Sequence, residues 1–440
     1  MKNTPIDHII VKKQISKILK ESNLEVLGKA KIRNLVKLVN LIESETGEKF
    51  IRMEMGVPGL NPSKFGTDAE KKALDSNKAS KYPNMEGIPE LKKEIVLFVK
   101  NFLDIKVNEE SCVPTVGAMQ GSFASFLVAN KSNKKKDTIL FIDPGFPVQK
   151  QQVEVLGMKY ETFDVYNYRG ESLRDKLEFY LSKGNISSIL YSNPNNPSWI
   201  CFSAKELKII GDLANKYDTI IIEDLAYFAM DFRKDYSKIS KPPFQPTVAK
   251  YTENYILLIS SSKSFSYAGQ RIGMLVMSNN LFKREFDDLV ITYKSKNFGY
   301  CMIFGALYAL SSGVAHTVQY GLTGILNAVN TGKLDFVAEI KEYGERAKIM
   351  KKLFLENGFK IVYEKDEKEK IADGFYFTFS YPGMSGNELL ENLIYYGVSA
   401  IALNTTGSER TEGLRACVSQ VKREQFKDLE FRLKKFNKDF

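Results

Sequence analysis

Short apolar runs, each ending in small or polar residues, punctuate the middle of the chain. Those at 137–142, 186–192, 219–222 and 255–259 are bounded by turn formers and predict buried strands. Between the second and third lies a segment of helical spacing. Ser203 opens it, Glu206 stands three residues on as in a capping box, and Leu207, Ile210, Gly211 and Ala214 share one face. Strand, helix and strand in that order predict two parallel strands joined by a right-handed crossover. The motif Asn193-Pro-Asn-Asn-Pro197 is a rigid turn that cannot prolong the strand before it. Further on, 341–352 reads as a helix, and 359–363 and 374–379 as two strands joined by a charged loop. The pattern as a whole predicts an α/β protein. A large domain over 56–330 carries a mostly parallel sheet flanked by helices. A smaller α+β domain covers 331–440, and an N-terminal arm, 1–55, packs back on it.

In open parallel sheets, ligands bind beyond the carboxyl ends of the strands. Asn196, Asp224 and Lys263 all fall there, one per strand. Lys263 lies in Ser260-Ser-Ser-Lys-Ser-Phe-Ser-Tyr-Ala-Gly-Gln-Arg-Ile-Gly273, where an amine is flanked by hydroxyls and followed by Arg271. That set suits an aldehyde cofactor that also bears a phosphate: the lysine can form an imine, and the hydroxyls and guanidinium can hold the dianion. A second anion-binding element is Thr115-Val-Gly-Ala-Met-Gln-Gly-Ser122, a small-residue turn before an apolar helix at 123–129. Such a turn aims free backbone N–H groups and the positive end of the helix dipole at an anion. Taken singly, Asp224 is also a turn carboxylate, Asn196 a turn former and Tyr227 a core aromatic; order, spacing and strand position together favour a site.

These motifs resemble those of the fold-type I pyridoxal-phosphate aminotransferases, class I/II, the aspartate aminotransferase superfamily, from about Ile32 to Cys417. The resemblance implies pyridoxal 5'-phosphate as cofactor and Lys263 as the Schiff-base lysine. It makes Ser260 and Arg271 phosphate ligands, with Gly117, Ala118 and Met119 as backbone donors. Asp224 would pair with the pyridine nitrogen, keeping the ring able to accept a carbanion's electrons. Tyr227 and Asn196 would hydrogen-bond the phenolic oxygen, and Phe146, in Asp143-Pro-Gly-Phe-Pro147, would stack on the ring. Tyr82, heading Tyr82-Pro-Asn-Met-Glu-Gly-Ile-Pro-Glu-Leu91, would reach the phosphate in a neighbouring subunit, which implies a homodimer with shared active sites. Gly56 would let backbone approach the substrate carboxylate, and Arg415, in Gly413-Leu-Arg-Ala-Cys417, would fork it. Arg410 is the rival for that role; Arg415 is preferred because its segment is apolar and strand-like. The implied reaction moves an α-amino group from a neutral, aromatic or aspartate-like L-amino acid to a 2-oxo acid such as 2-oxoglutarate.

Two departures stand out. Where the family has Thr-Gly after the Asn-Pro motif, this chain has Ser198 and Trp199, its only tryptophan. Positions that carry a basic group over the distal carboxylate of dicarboxylic substrates match Met119 and Ile291, both apolar; Lys294 and Lys296 lie close by in sequence. This favours neutral or aromatic substrates over aspartate.

Composition narrows the field further. Four cysteines, at 112, 201, 301 and 417, show no ligand spacing, which predicts no structural metal or disulfide frame and fits a reducing cytosol. With only His8 and His316, histidine-based nucleophilic catalysis has little to draw on. A net charge of +10 comes with no nucleic-acid-binding signature, and the basic run at 131–136 reads as a solvated loop. Residues 1–20 lack the apolar core of a secretion signal. Residues 297–332 carry no Asp, Glu, Lys or Arg, yet polar residues interrupt them and their densest apolar stretch is half of the ~20 residues a membrane span needs. A buried or subunit-facing helix is expected there. The rival readings are a pyridoxal-phosphate lyase on the same fold and a regulatory protein that keeps the fold without turnover. A Rossmann dehydrogenase is disfavoured, because no Gly-x-Gly-x-x-Gly follows an early strand.

Overall fold

A computed structural model of the chain describes residues 9–10, 12–22, 27–30 and 32–440. His8, with part of the charged segment 1–20, lies outside the described residues. The chain forms two compact units. The larger comprises Leu60–Asn195 and Cys201–Ile340; the smaller comprises the described residues up to Gly59, the insert Asn196–Ile200, and Lys341–Phe440.

A seven-stranded sheet organises the larger unit. In chain order its strands are β1 (Cys112–Thr115), β2 (Thr138–Asp143), β3 (Lys159–Asp164), β4 (Ile186–Ser192), β5 (Ile220–Leu225), β6 (Tyr255–Ser260) and β7 (Gly273–Met277). They lie in the order β1-β7-β6-β5-β4-β2-β3. All pairs from β6 to β3 are parallel, and β7 is antiparallel to both β6 and β1. β2, β4, β5 and β6 are buried along their whole length, which explains why they read as continuous rather than alternating apolar runs. The parallel step from β4 to β5 runs through α2 (Ala204–Lys216), whose capping box joins Ser203 and Glu206 in both directions. Before it, α1 (Gly117–Ala129) starts six residues earlier than the apolar run at 123–129 suggested. The small residues expected to form a turn are its first turns instead: Gly117 takes the left-handed φ of +66° that admits the chain to the helix.

The uncharged segment 297–332 folds into helices, among them the π-helical Cys301–Leu307 and α3 (His316–Asn330). α3 buries Val318, Leu322, Ile325, Leu326 and Val329, while Tyr300, Phe304 and Tyr308 face outward. Among the described residues no helix is long and apolar enough to cross a membrane. In the loop at 131–136, Lys136 is half-buried and its Nζ donates to the carbonyls of Tyr217 and Asp218 at 2.6 Å each, so this lysine is a tether rather than a solvated charge.

The smaller unit holds a four-stranded antiparallel sheet, in which β8 (Tyr376–Ser380) lies between Lys360–Ile361 and β9 (Leu414–Cys417), and Ile401–Ala402 forms the far edge. The expected strand at 359–363 is cut to two residues, although the Val362 N–H still bonds the Thr378 carbonyl. The strand expected from 374 begins at Tyr376. The N-terminal segment joins this unit through Ile51–Arg52, which pairs in parallel with Val398–Ser399.

Candidate active site

Within the larger unit, parallel pairing brings the carboxyl ends of β4, β5 and β6 side by side. β6 ends at Ser260, whose Oγ accepts from the Ser262 N–H and so starts the one-turn helix Ser261–Ser264 that carries Lys263. The half-buried Lys263 places Nζ 5.7 Å from the ring centroid of buried Tyr227. Asp224, on the next strand, is buried, and burial pushes its carboxyl above the usual carboxylate range; the Gln149 hydrogen bond and the positive charge of Lys263 oppose that rise. Gln149 Nε2 donates to Asp224 Oδ2 at 2.8 Å, and the Ala226 N–H bonds Oδ1 at 3.1 Å.

Gln149 did not stand out in the sequence. It lies three residues after Phe146, and this spacing on the helix Pro147–Val155 was the one signal available. Phe146 is half-buried and precedes that helix as its N-cap. Asn195 was missed as well: its Nδ2 donates to the Pro144 carbonyl at 2.8 Å, tying the end of β4 to the loop that presents Phe146. At the base of that loop Asp143 is buried, ion-paired with Lys150 and hydrogen-bonded by Thr162.

Gly117, Ala118 and Met119 begin α1, and no side chain caps that helix. Two glycines shape its approach. A Cβ on Gly117 would lie 2.8 Å from Arg271 Nη2, and one on Gly273 would lie 2.9 Å from the Ala118 nitrogen. Arg271 therefore lies directly over the first turn of α1, itself in a left-handed conformation, with Nη1 donating to the Ala268 carbonyl at 2.7 Å. A guanidinium beside a first helical turn with N–H groups to offer is a cradle for a phosphate. Tyr82, by contrast, is 90 % exposed. Ile291, exposed, and Lys294 belong to the same unit, and Lys296 is ion-paired with Asp287 at 2.6 Å.

In the smaller unit Arg415 lies on β9 and is 2 % exposed. Its Nη1 donates to Asn196 Oδ1 at 3.2 Å, Nη2 to the Glu54 carbonyl, and its Nε is buried with no partner. The guanidinium carbon stands 4.5 Å from the ring centroid of Tyr376. Gly56 lies against the same tyrosine, for a Cβ there would come within 2.0 Å of the Tyr376 hydroxyl. Arg410 takes a different place, its guanidinium 6.0 Å from the Tyr363 ring. Arg415, Asn196 and Gly56 are thus brought together. Trp199 is fully buried at a φ of +65°, within the short insert that also carries Asn196.

A largely parallel sheet with a lysine after one strand, a buried aspartate on the next and a guanidinium over an uncapped helix start fits a lysine-centred cofactor enzyme. Residues 48–430 match the family model described as aminotransferase class I and II, and the chain belongs to that family. It is a pyridoxal-phosphate-dependent aminotransferase of fold type I. It is similar to a probable aspartate aminotransferase of Methanocaldococcus jannaschii, 26 % identical over 75 % of this chain and 77 % of the relative. It is also similar to an aspartate aminotransferase of Pyrococcus horikoshii, 28 % identical over 59 % of this chain and 62 % of the relative. The solved structure of a Thermotoga maritima aspartate aminotransferase shares the fold, with a TM-score of 0.74 at 18 % identity, covering 97 % of this chain and 99 % of that one. The larger unit fits pyridoxal 5'-phosphate: an amine for the aldehyde, a buried carboxylate for the ring nitrogen, and a cradle that glycines keep open for the phosphate. Among the described residues no cluster of side chains could hold a metal ion.

Proposed function

We propose that this aminotransferase takes its amino group from a neutral or aromatic L-amino acid and passes it to a 2-oxo acid such as 2-oxoglutarate. The observation that carries the reading is Arg415. The residue is 2 % exposed, and among the described residues its Nε is unpartnered and no carboxylate side chain pairs with its guanidinium. A buried cation without an anion is costly, and a planar fork matches a carboxylate, the group that every amino acid and 2-oxo acid shares. The preference for a neutral or aromatic side chain rests on Met119 and Ile291, which are apolar, and on Lys296, whose charge Asp287 already engages.

Bound pyridoxal 5'-phosphate supplies an aldehyde that forms imines with amines and a ring that accepts the electrons of a carbanion. Lys263 Nζ would hold the aldehyde and is the base that would take and return the proton of the substrate Cα. Asp224, steadied by Gln149, would keep the ring nitrogen protonated. Tyr227 and Asn196 would hydrogen-bond the ring oxygen, and Phe146 would cover the ring face. Ser260, Arg271 and the N–H groups of Gly117, Ala118 and Met119 would hold the phosphate, joined by Tyr82 from a second copy of the chain. Gly56 leaves room for the hydroxyl of Tyr376, whose ring lies against the guanidinium that would bind the substrate carboxylate.

The homodimer that Tyr82 requires is supported by an outward apolar row on the segment without charges. Tyr300, Phe304 and Tyr308, spaced by four, are 49 %, 43 % and 52 % exposed. A large apolar row of this kind is the sort of surface that a partner covers. Four buried cysteines, none in a disulfide, suit a cytoplasmic setting. The test of the substrate reading is a panel of L-amino acids added singly to the purified, cofactor-loaded protein, with absorbance following conversion to the amine form of the cofactor. Neutral and aromatic amino acids should convert it at lower concentration than aspartate; conversion by aspartate alone overturns the assignment.

A further inference from the structure

Trp199 occupies a position where its neighbours had to be arranged to admit it. Its backbone lies at φ +65°, a conformation that non-glycine residues rarely adopt and that persists only where the surroundings impose it. Its indole is fully buried against Gly374: a Cβ there would fall 2.0–2.2 Å from Cε2, Cζ2 and Nε1, so any other residue at 374 would expel the ring. The indole meets Tyr376 edge to face, with centroids 6.1 Å apart and planes at 71°. Phe375 closes on Tyr376 at 5.1 Å and is itself held by Tyr343 at 4.8 Å.

Tyr376 leads directly to the guanidinium. In the pairing of β8 with β9, Thr378 lies opposite Arg415, so Tyr376, two residues along, is its diagonal neighbour on the same face. The ring supports the guanidinium at 4.5 Å, while Asn196 Oδ1 and the Glu54 carbonyl fix its two terminal nitrogens and Nε is left to offer. Asn196 itself precedes Trp199 by three residues in the insert Asn196–Ile200. A left-handed residue, a ring that only a glycine admits and a cation stacked on the next ring form one continuous set of contacts within one unit.

We propose that Trp199 is a positioning residue for substrate carboxylates: through Tyr376, and by fixing the segment that carries Asn196, it holds the Arg415 guanidinium in the plane that receives a carboxylate. The inference rests on the reading of Arg415 as the carboxylate-binding group. It also makes Trp199, the chain's single tryptophan, an optical reporter of that group.

The experiment uses the cofactor-loaded protein and propionate, a carboxylate that carries no amine and cannot react. Propionate should change the emission of Trp199 in wild type, saturating at the same concentration at which it inhibits turnover. Trp199→Gly, which relieves the backbone but removes the ring, should raise the propionate inhibition constant and the KM for both substrates about tenfold, within the worth of the desolvated Arg415–Tyr376 contact that it loosens, with kcat little changed. Trp199→Phe should recover part of the loss. Arg415→Lys separates the two readings. If Arg415→Lys weakens propionate but folded Trp199→Gly does not, Trp199 only fills space and the proposal falls. If Arg415→Lys leaves propionate inhibition unchanged, the carboxylate assignment falls, and the proposal with it. Should Trp199→Gly fail to fold, Trp199→Phe with wild-type inhibition, or a wild-type emission that propionate does not move, overturns the proposal equally.

Discussion

Asp224 owes its use to two opposed effects. Burial raises its proton affinity, whereas Gln149, the Ala226 N–H and the charge of Lys263 favour the anion. A protonated ring nitrogen would act in the same direction as these three, so the site is built for a cationic partner. Asp224→Asn keeps the shape and removes the charge, and should lower kcat by on the order of 10²–10³, the scale of a lost electrostatic partner at a reacting centre. Circular dichroism should stay that of wild type; near-normal turnover would make Asp224 a turn residue only. The residues legible in the sequence were those whose chemistry stands out: a lysine among hydroxyls, an acid after an apolar strand, an arginine after a glycine. Gln149 and Asn195 stayed hidden because amides are ordinary at helix starts and turns, and the partners that give them purpose are remote in sequence, as Asp224 is 75 residues from Gln149.

Elements were read well where a single pattern governed them. Buried β2, β4, β5 and β6 were found as apolar runs, while buried β1 and β7 were not, and α2 was placed by a capping box that both partners in fact complete. Misplaced ends had specific causes. The Gly-rich entry to α1 signals a turn by composition, yet its left-handed glycine is the door to the helix rather than a spacer before it. The strand at 359–363 was overlong because the apolar run Ile361-Val-Tyr363 continues past the two residues that pair with β8. This reading of Gly117 can be checked. Gly117→Ala meets a left-handed φ of +66° and a Cβ 2.8 Å from Arg271 Nη2, so it costs about 1 kcal/mol in backbone strain and pushes a cation off the phosphate cradle. The variant should melt about a degree lower and release pyridoxal 5'-phosphate more readily on dialysis. Wild-type retention would show that the first turn of α1 does not bind the phosphate.

At the scale of the whole molecule, a mostly parallel sheet was legible in the apolar runs, whereas the order of its strands was not, since pairing between segments remote in sequence leaves no local mark. Nor was the transfer of Asn196–Ile200 to the smaller unit, because a contact with residues more than 150 positions away leaves no local trace. Assembly is the other property at this scale. Tyr82 is 90 % exposed, in accord with a ring that serves a second copy. Mixed dimers of Tyr82→Phe and Lys263→Ala chains test that directly. Each parent is impaired at both of its own sites. In a mixed dimer one site combines the intact lysine of one chain with the intact tyrosine of the other, and the second site carries both lesions. Activity should return at up to one site per mixed dimer, given a clear loss in Tyr82→Phe alone. No recovery on mixing would mean that Tyr82 acts within its own chain or not at all.

Every role assigned above depends on Lys263 being the amine that holds the cofactor. Reduction of the cofactor-loaded protein with borohydride, followed by peptide mapping, fixes that bond in place and reads its address. The pyridoxyl group should be found on Lys263, in the peptide that also carries Ser260 and Ser264. An adduct on any other lysine, or no adduct on the chain, contradicts the account.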